Sequence, residues 1–316
     1  MSSIIRNALA LSAVAAVAVA QGTTAPKLDA PCADAVIFMA RGNNAPYQDS
    51  RTFPFVEATC GKLRAEGKTC DFIEVVFETM MNGDFCTQIA EGVRNGQSQI
   101  TAFNKKCPCT HLILNGFSQG AWITGDILGG PGGCSQITTG LDNTSAPGNA
   151  IAAALLWGDV MHEAKQPYNV LDGADLQKSG RSADSLTRLN RYAPVLRSYC
   201  AKGDPICANG NDVDKHLSYF ELYTDDASTW AVGKLNDTAP LCVAPTPTPS
   251  ASSTAVASSV GVTSATAVAS SSAAASSSVA ALPAYPTSPV HVAPFAVPQP
   301  YEAKCVPRMK IEYVYV

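Results

Sequence analysis

Four short apolar runs limit what this chain can fold into: DAVIFMA at 34–40, DFIEVVF at 71–77, HLILNG at 111–116 and AIAAALLWG at 150–158. Each has strand length and little polar alternation, the pattern of strands buried on both faces. The stretches between them read as helices. In 86–106, Ile89, Val93, Ile100 and Phe103 recur at roughly helical spacing, and Lys105 and Lys106 close the run where the helix dipole favours cations. Strands alternating with helices imply an α/β fold, a three-layer α/β/α sandwich with a central, mostly parallel sheet, over about residues 31–235. With 46% hydrophobic and 15% charged residues among 316, the chain can fill one substantial core.

The flanks read differently. Residues 1–20 carry Arg6, then ALALSAVAAVAVA, ending in Ala18-Val19-Ala20. That reads as a secretory signal cleaved after Ala20, since the apolar run is too short to span a membrane and polar residues follow it. The globular domain is expected at 21–242, extracellular and without a membrane anchor. From about 243 to 290 the chain is almost wholly Ala, Ser, Thr, Val and Pro without a charge, so it cannot bury enough area to offset ordering entropy and reads as a disordered stalk. Residues 291–316 end in a strand-like alternation of open role, and Glu302, Lys304, Arg308, Lys310 and Glu312 rule out a lipid-anchor tail.

Eleven cysteines agree with secretion, because thiols pair and persist as disulfides in an oxidising compartment. The odd number leaves at least one without an intramolecular partner, and Cys242 could pair with Cys305 and tie the last segment down. No Cys/His cluster has zinc-ligand spacing, so no metal is expected. Sequons at Asn143 and Asn236 are candidate glycosylation sites. A net charge of -4 gives no reason to expect nucleic acid.

The chemistry concentrates around Gly116-Phe117-Ser118-Gln119-Gly120, directly after the third apolar run and at the start of a helix to about Leu128. Gly-x-Ser-x-Gly alone is weak, but strand-then-helix context makes it a nucleophile elbow: the turn is tight, the flanking residues are small, and the helix N-terminus favours negative charge beside the hydroxyl. Such a serine needs a histidine to accept its proton and a carboxylate to orient that histidine. His111 leads into the serine strand and His291 lies beyond the stalk, which leaves His162 and His216. Asp204 with His216, and Asp159 with His162, both follow the α/β-hydrolase order of serine, acid, histidine. Three residues leave the second pair little room to cross a cleft, and Asp159 reads better as a strand-end residue supporting the acid loop. Trp122, one turn after Ser118, reads as a core or wall residue.

From about Cys32 to Leu235 the chain resembles the fungal cutinase and acetylxylan esterase family, secreted serine esterases on a small, lidless α/β-hydrolase fold. Residues 116–120 stand where that family has Gly-Tyr-Ser-Gln-Gly, Cys200 to Cys207 match its Cys-x-x-x-Asp-Pro-x-Cys acid loop, and His216 falls at its histidine. The resemblance implies a triad of Ser118, Asp204 and His216, disulfides Cys200–Cys207 and Cys32–Cys107, and no cofactor. It leaves the pairing of Cys60, Cys70, Cys86, Cys109 and Cys134 open. For the oxyanion hole, the backbone N–H of Gln119 is the first donor. Where the family has Ser or Thr, this chain has Asn43, which can donate through backbone or side-chain amide, or can simply shape a turn with Asn44.

The resemblance implies an ester hydrolase, expected to be a monomer, acting on acetylated plant cell-wall polysaccharide or on cutin. The loop ANGNDVDK before His216 is polar and looks like that of the acetylxylan esterases, which favours a sugar over a waxy ester. A different class, a catalytically silent surface or binding protein on the same fold, is disfavoured because a dead enzyme has no reason to retain all three residues.

Overall fold

The computed structural model describes residues 24–134 and 138–242; the expected leader at 1–20, the 243–290 stretch, the 291–316 segment with Cys305, and His291 lie outside them. The described chain forms one six-stranded sheet in the order β2-β1-β3-β4-β6-β5, with every pair parallel. The strands are β1 (Ala35–Ala40), β2 (Cys70–Glu74), β3 (His111–Phe117), β4 (Ile151–Trp157), β5 (Asn169–Val170) and β6 (Leu196–Tyr199).

The central strands are buried on both faces because alternate side chains enter two separate cores. Val36, Phe38 and Ala40 of β1 join a cluster with Ile89, Val93, Ile100 and Phe103 of α2 (Phe85–Lys106) and Ala121, Ile123 and Ile127 of α3 (Gln119–Gly129). Ala35, Ile37 and Met39 join the other, packed by α1 (Phe53–Ala65) and α6 (Tyr219–Asp237). Two short helices, α4 (Ala183–Leu189) and α5 (Val213–Leu217), complete the set. The result is the three-layer α/β/α arrangement.

Two departures from the sequence reading have physical causes. The run 71–77 leaves the sheet after Glu74, where β2 is the edge strand and side chains of α2 replace a neighbouring strand. Gln99 accepts from Val76 N–H at 3.1 Å and donates to the Glu74 carbonyl at 2.8 Å, and Asn95 donates to the Val76 carbonyl at 2.8 Å. Strands β5 and β6 carried no signal, since one has two residues and the other is the mixed sequence LRSY.

Five disulfides link the described cysteines: Cys32–Cys107, Cys60–Cys70, Cys86–Cys134, Cys109–Cys242 and Cys200–Cys207. Cys242 is therefore joined to Cys109 and not to Cys305, because the chain leaving α6 returns to the turn that precedes β3. Cys107-Pro108-Cys109 thus holds both Cys32, ahead of β1, and Cys242, past α6.

Candidate active site

Ser118 follows β3 at the N-cap position of α3, with φ 55° and ψ -115°, a conformation costly for a non-glycine residue that persists only where its surroundings impose it. Its N–H donates to the Trp157 carbonyl at 2.8 Å, which fixes the turn against β4. Glycines are required on both sides by close approach. A β-carbon at Gly120 would lie 2.0 Å from the Ala40 carbonyl oxygen, and one at Gly116 would lie 2.3 Å from that of Gly120.

The structure brings Ser118, His216 and Asp204 into one hydrogen-bonded line. His216 Nε2 is 3.0 Å from Ser118 Oγ, and His216 Nδ1 is 2.9 Å from Asp204 Oδ2. His216, on α5, is buried with its ring stacked on Phe117 at a centroid distance of 5.0 Å. Behind it, Gly158 takes φ 56°, and a β-carbon there would meet the imidazole at 2.7 Å.

Asp204 lies in the loop closed by Cys200–Cys207 and is fully buried. Its Oδ1 accepts from the Ile206 and Cys207 amides at 2.6 and 3.2 Å, while its Oδ2 accepts from His216 and from the Tyr219 hydroxyl at 2.6 Å. Burial alone would raise its pKa; the His216 bond and charge, the Tyr219 hydroxyl and the Ile206 amide outweigh burial and hold the carboxyl below its ordinary value. The group is thus an anion suited to orienting His216. Tyr219 is itself buried, and its oxygen accepts from Ala201 N–H at 2.9 Å. Burial and the charge of Asp204 raise its pKa, so its proton stays on the bond to the carboxylate. Sequence reasoning missed Tyr219; the one available signal is its place three residues after His216, at the start of α6.

In the first turn of α3 the Ala121 and Trp122 N–H groups bond the Ser118 carbonyl at 3.0 and 3.2 Å, while the Gln119 N–H, at the first position of the helix, has no helical partner by position. Asn43 sits in a turn whose Ala45 N–H bonds the Gly42 carbonyl at 3.3 Å, and Asn44 takes φ 55° while donating to the Thr79 carbonyl at 3.1 Å. Turn-shaping is therefore a real use of this pair. The turn also abuts the elbow, since Gly42 lies against the Phe117 ring and the Ala40 and Arg41 carbonyls against Gly120. Arg41 latches it through the Ala45 and Phe77 carbonyls at 2.7 and 2.6 Å. Asn43 Oδ1 is buried without a hydrogen-bond partner among the described residues.

Asp159 and His162 belong elsewhere. Asp159 Oδ2 lies 3.2 Å from Arg181 and its Oδ1 accepts from Met161 N–H at 3.0 Å, so it supports Arg181 and not the acid loop. His162 Nδ1 is 3.0 Å from Ser198 Oγ. Arg181 is buried with Asp159 and Asp126, whose Oδ1 it meets at 2.5 Å. Burial pushes the Asp126 carboxyl up to about 6 against the pull of Arg181. Trp122 is buried in the wall beside this cluster and donates to Asp126 at 3.1 Å.

The lips of the site mix characters. Two residues between Cys207 and His216 fold the loop: Gly210 and Asp212 N–H bond the Asp204 and Gly203 carbonyls, each at 2.9 Å, and the Asp212 carboxylate caps α5, while Asn209, Asn211 and Asp214 are exposed. Beside His216, α5 exposes Val213 and Leu217, and on the Gln119 side Met80 and Met81 are exposed. Of the sequon residues, Asn143 donates to the Arg191 carbonyl at 3.1 Å, while Asn236 is exposed in the last turn of α6. Among the described residues, no group of three acidic, His or Cys side chains is placed to hold a metal ion, and no helix is long and apolar enough to cross a membrane.

The sequence profile of the cutinase family matches residues 31–235. Acetylxylan esterase 2 of Talaromyces purpureogenus is 31% identical over 157 residues, which is 48% of this chain and 64% of that protein. Cutinase 11 of Verticillium dahliae is 31% identical over 148 residues, 46% of this chain and 49% of that protein. The chain thus spans about half to two thirds of the length of these curated relatives. Among solved structures, an iodinated complex of acetyl xylan esterase aligns with a TM-score of 0.57 at 27% identity, covering 65% of this chain and 100% of that one.

Proposed function

Given that the chain belongs to the cutinase family, we propose that it is a secreted serine hydrolase of carboxylic esters. The observation that carries this reading is the line from Ser118 Oγ through His216 to Asp204, with bonds of 3.0 and 2.9 Å. Ser118 Oγ attacks the ester carbonyl carbon while His216 Nε2 takes its proton. Asp204 orients the imidazole and stabilises the imidazolium that forms. The carbonyl oxygen, now an anion, receives hydrogen bonds from the Gln119 N–H and from Asn43. His216 then gives its proton to the departing alcohol oxygen as the C–O bond breaks. Water, deprotonated by His216, hydrolyses the acyl-serine and restores the hydroxyl. Five disulfides support an oxidising, extracellular setting.

For the substrate, the reading is a short acyl group, acetyl above all, on plant cell-wall polysaccharide. The relatives named acetylxylan esterase and the exposed Asn209, Asn211 and Asp214 beside the site support it, because sugar hydroxyls need hydrogen-bond partners when water leaves. A second reading, hydrolysis of cutin or other aliphatic polyesters, is favoured by the exposed Met80, Met81, Val213 and Leu217, which suit a greasy acyl chain. Initial rates on p-nitrophenyl esters of increasing length, with acetate release from acetylated xylan, separate the two. Fast cleavage of esters of about eight carbons or more, with monomers released from cutin and none of the xylan acetate, moves the assignment to the polyester. Labelling with a fluorophosphonate tests the class itself: no Ser118-dependent adduct on folded protein returns the chain to a silent binding protein.

A further inference from the structure

Gln88, in the first turn of α2, is buried and its carboxamide is heavily committed. Oε1 accepts from Met80 N–H at 3.1 Å and from Gln119 Nε2 at 3.0 Å, and Nε2 donates to the Met80 carbonyl at 2.9 Å. The two bonds with Met80 close a ring like that between paired strands. The third reaches the residue that follows the nucleophile. Gly83 makes room for this approach, since a β-carbon there would stand 2.2 Å from Gln88 Nε2. On its far side the Met80 segment meets the Asn43–Asn44 turn, where the Thr79 carbonyl accepts from Asn44 N–H at 3.1 Å. The root of α2 is itself fixed by the Asp84 cap and by Cys86–Cys134.

We propose that Gln88 is a positioning residue of the oxyanion hole: one buried amide anchors the Gln119 side chain, and through it the backbone that carries the N–H donor, and holds the Asn43–Asn44 turn through Met80 and Thr79. This rests on the reading of Ser118 as an esterase nucleophile. Donors stabilise a developing oxyanion without reorganisation only when their supports are locked beforehand, and Gln88 is where the supports of both donors meet. It touches no reacting atom, so its contribution falls on the transition state through the donors and leaves ground-state binding nearly untouched.

The experiment compares wild type with Gln88→Leu, Gln88→Glu and Gly83→Ala on p-nitrophenyl acetate. Thermal melting and inhibition by a trifluoromethyl ketone are measured alongside, because Ser118 adds to that ketone to form a hemiketal whose oxyanion occupies the hole. Gln88→Leu is expected to lower kcat about 10- to 100-fold with KM within about twofold, and to weaken the ketone by a similar factor. Gly83→Ala displaces the amide without removing it and gives the same pattern at about three- to tenfold. Its backbone lies outside the left-handed region, it is itself half-exposed, and the atom its β-carbon meets is the end of a side chain, so the variant is expected to fold. Gln88→Glu keeps the acceptor for Met80 N–H and Gln119 and recovers part of the loss. A lower melting temperature with kcat and ketone affinity unchanged makes Gln88 a fold-holding residue only and overturns the proposal. If Gln88→Leu fails to fold, Gly83→Ala decides alone: wild-type kcat and ketone affinity overturn the proposal. If wild-type protein neither cleaves the ester nor takes a fluorophosphonate at Ser118, the esterase reading falls, and the role of Gln88 with it.

Discussion

Replacing Tyr219 by Phe removes a single oxygen from behind the candidate triad. That oxygen donates to Asp204 at 2.6 Å and accepts from Ala201 N–H at 2.9 Å. Losing a hydrogen bond to a charged group costs roughly 1.5–3 kcal/mol, and leaving the buried Ala201 amide unsatisfied costs roughly 1–3 kcal/mol more. The ring keeps its packing against Trp157 and Tyr223, and a hydroxyl no longer has to be desolvated, so the net loss is about 3 kcal/mol. For a domain of this size that lowers Tm by roughly 6–12 °C. The pH dependence carries a sign. Asp204 has a folded pKa below its unfolded one, so its contribution is complete above the unfolded value and is lost as pH falls through the folded value. Without the hydroxyl the folded value moves up toward the ordinary one, and acid unfolding of the variant begins at higher pH. Activity falls less, by about tenfold at most, because His216 retains its 2.9 Å bond to Asp204. Melting curves from about pH 3 to 8 with ester turnover make the assay. A variant with wild-type Tm and wild-type acid midpoint would refute the role given to this hydroxyl.

Ser118→Ala and His216→Ala are each expected to lower turnover of a small ester by about three orders of magnitude or more, whereas His162→Ala destabilises the fold but leaves kcat of the folded fraction nearly unchanged. If His162→Ala is the inactive variant, the triad assignment is wrong. Cys200→Ser with Cys207→Ser frees the loop that carries Asp204, so kcat should fall more than thermal stability does; unchanged kcat in the double variant would count against the loop as a positioning device. Arg181→Met leaves the buried Asp126 and Asp159 without their cation and should cost about 3–5 kcal/mol in denaturant unfolding. The Asp126 carboxyl is already raised to about 6, so stability linked to it is present at low pH and lost as pH rises through that value; the deficit of Arg181→Met should therefore widen toward neutrality.

What the sequence revealed follows from how local each cause is. The runs at 34–40, 111–116 and 150–158 had to be central strands because they have no polar side to show to water, and Gly116 and Gly120 mark a turn whose crowding is set by residues within a few positions. The nearness of Asp204 and His216 to Ser118 was reachable only through chain order and family resemblance, since 98 residues separate Ser118 from His216. Tyr219, Gln88 and Arg181 stayed hidden because their roles come from partners on other elements that the fold brings up: Arg181 lies in the polar stretch QKSGRSAD, which reads as surface, yet it is buried between two carboxylates. The 208–215 loop has two uses, of which its composition shows only one: Gly210 and Asp212 close its own turn, while Asn209, Asn211 and Asp214 stay exposed beside the site.

The tripeptide Cys107-Pro108-Cys109 has a mechanical consequence. It bonds Cys32 on one side and Cys242 on the other, so a force applied through the two ends of the domain travels from disulfide to disulfide across a single proline. The sheet lies off that load path. A tether drawn taut on either end would strain covalent bonds at the edge where β3 begins, while Ser118, at the opposite end of the same strand, would feel none of the pull.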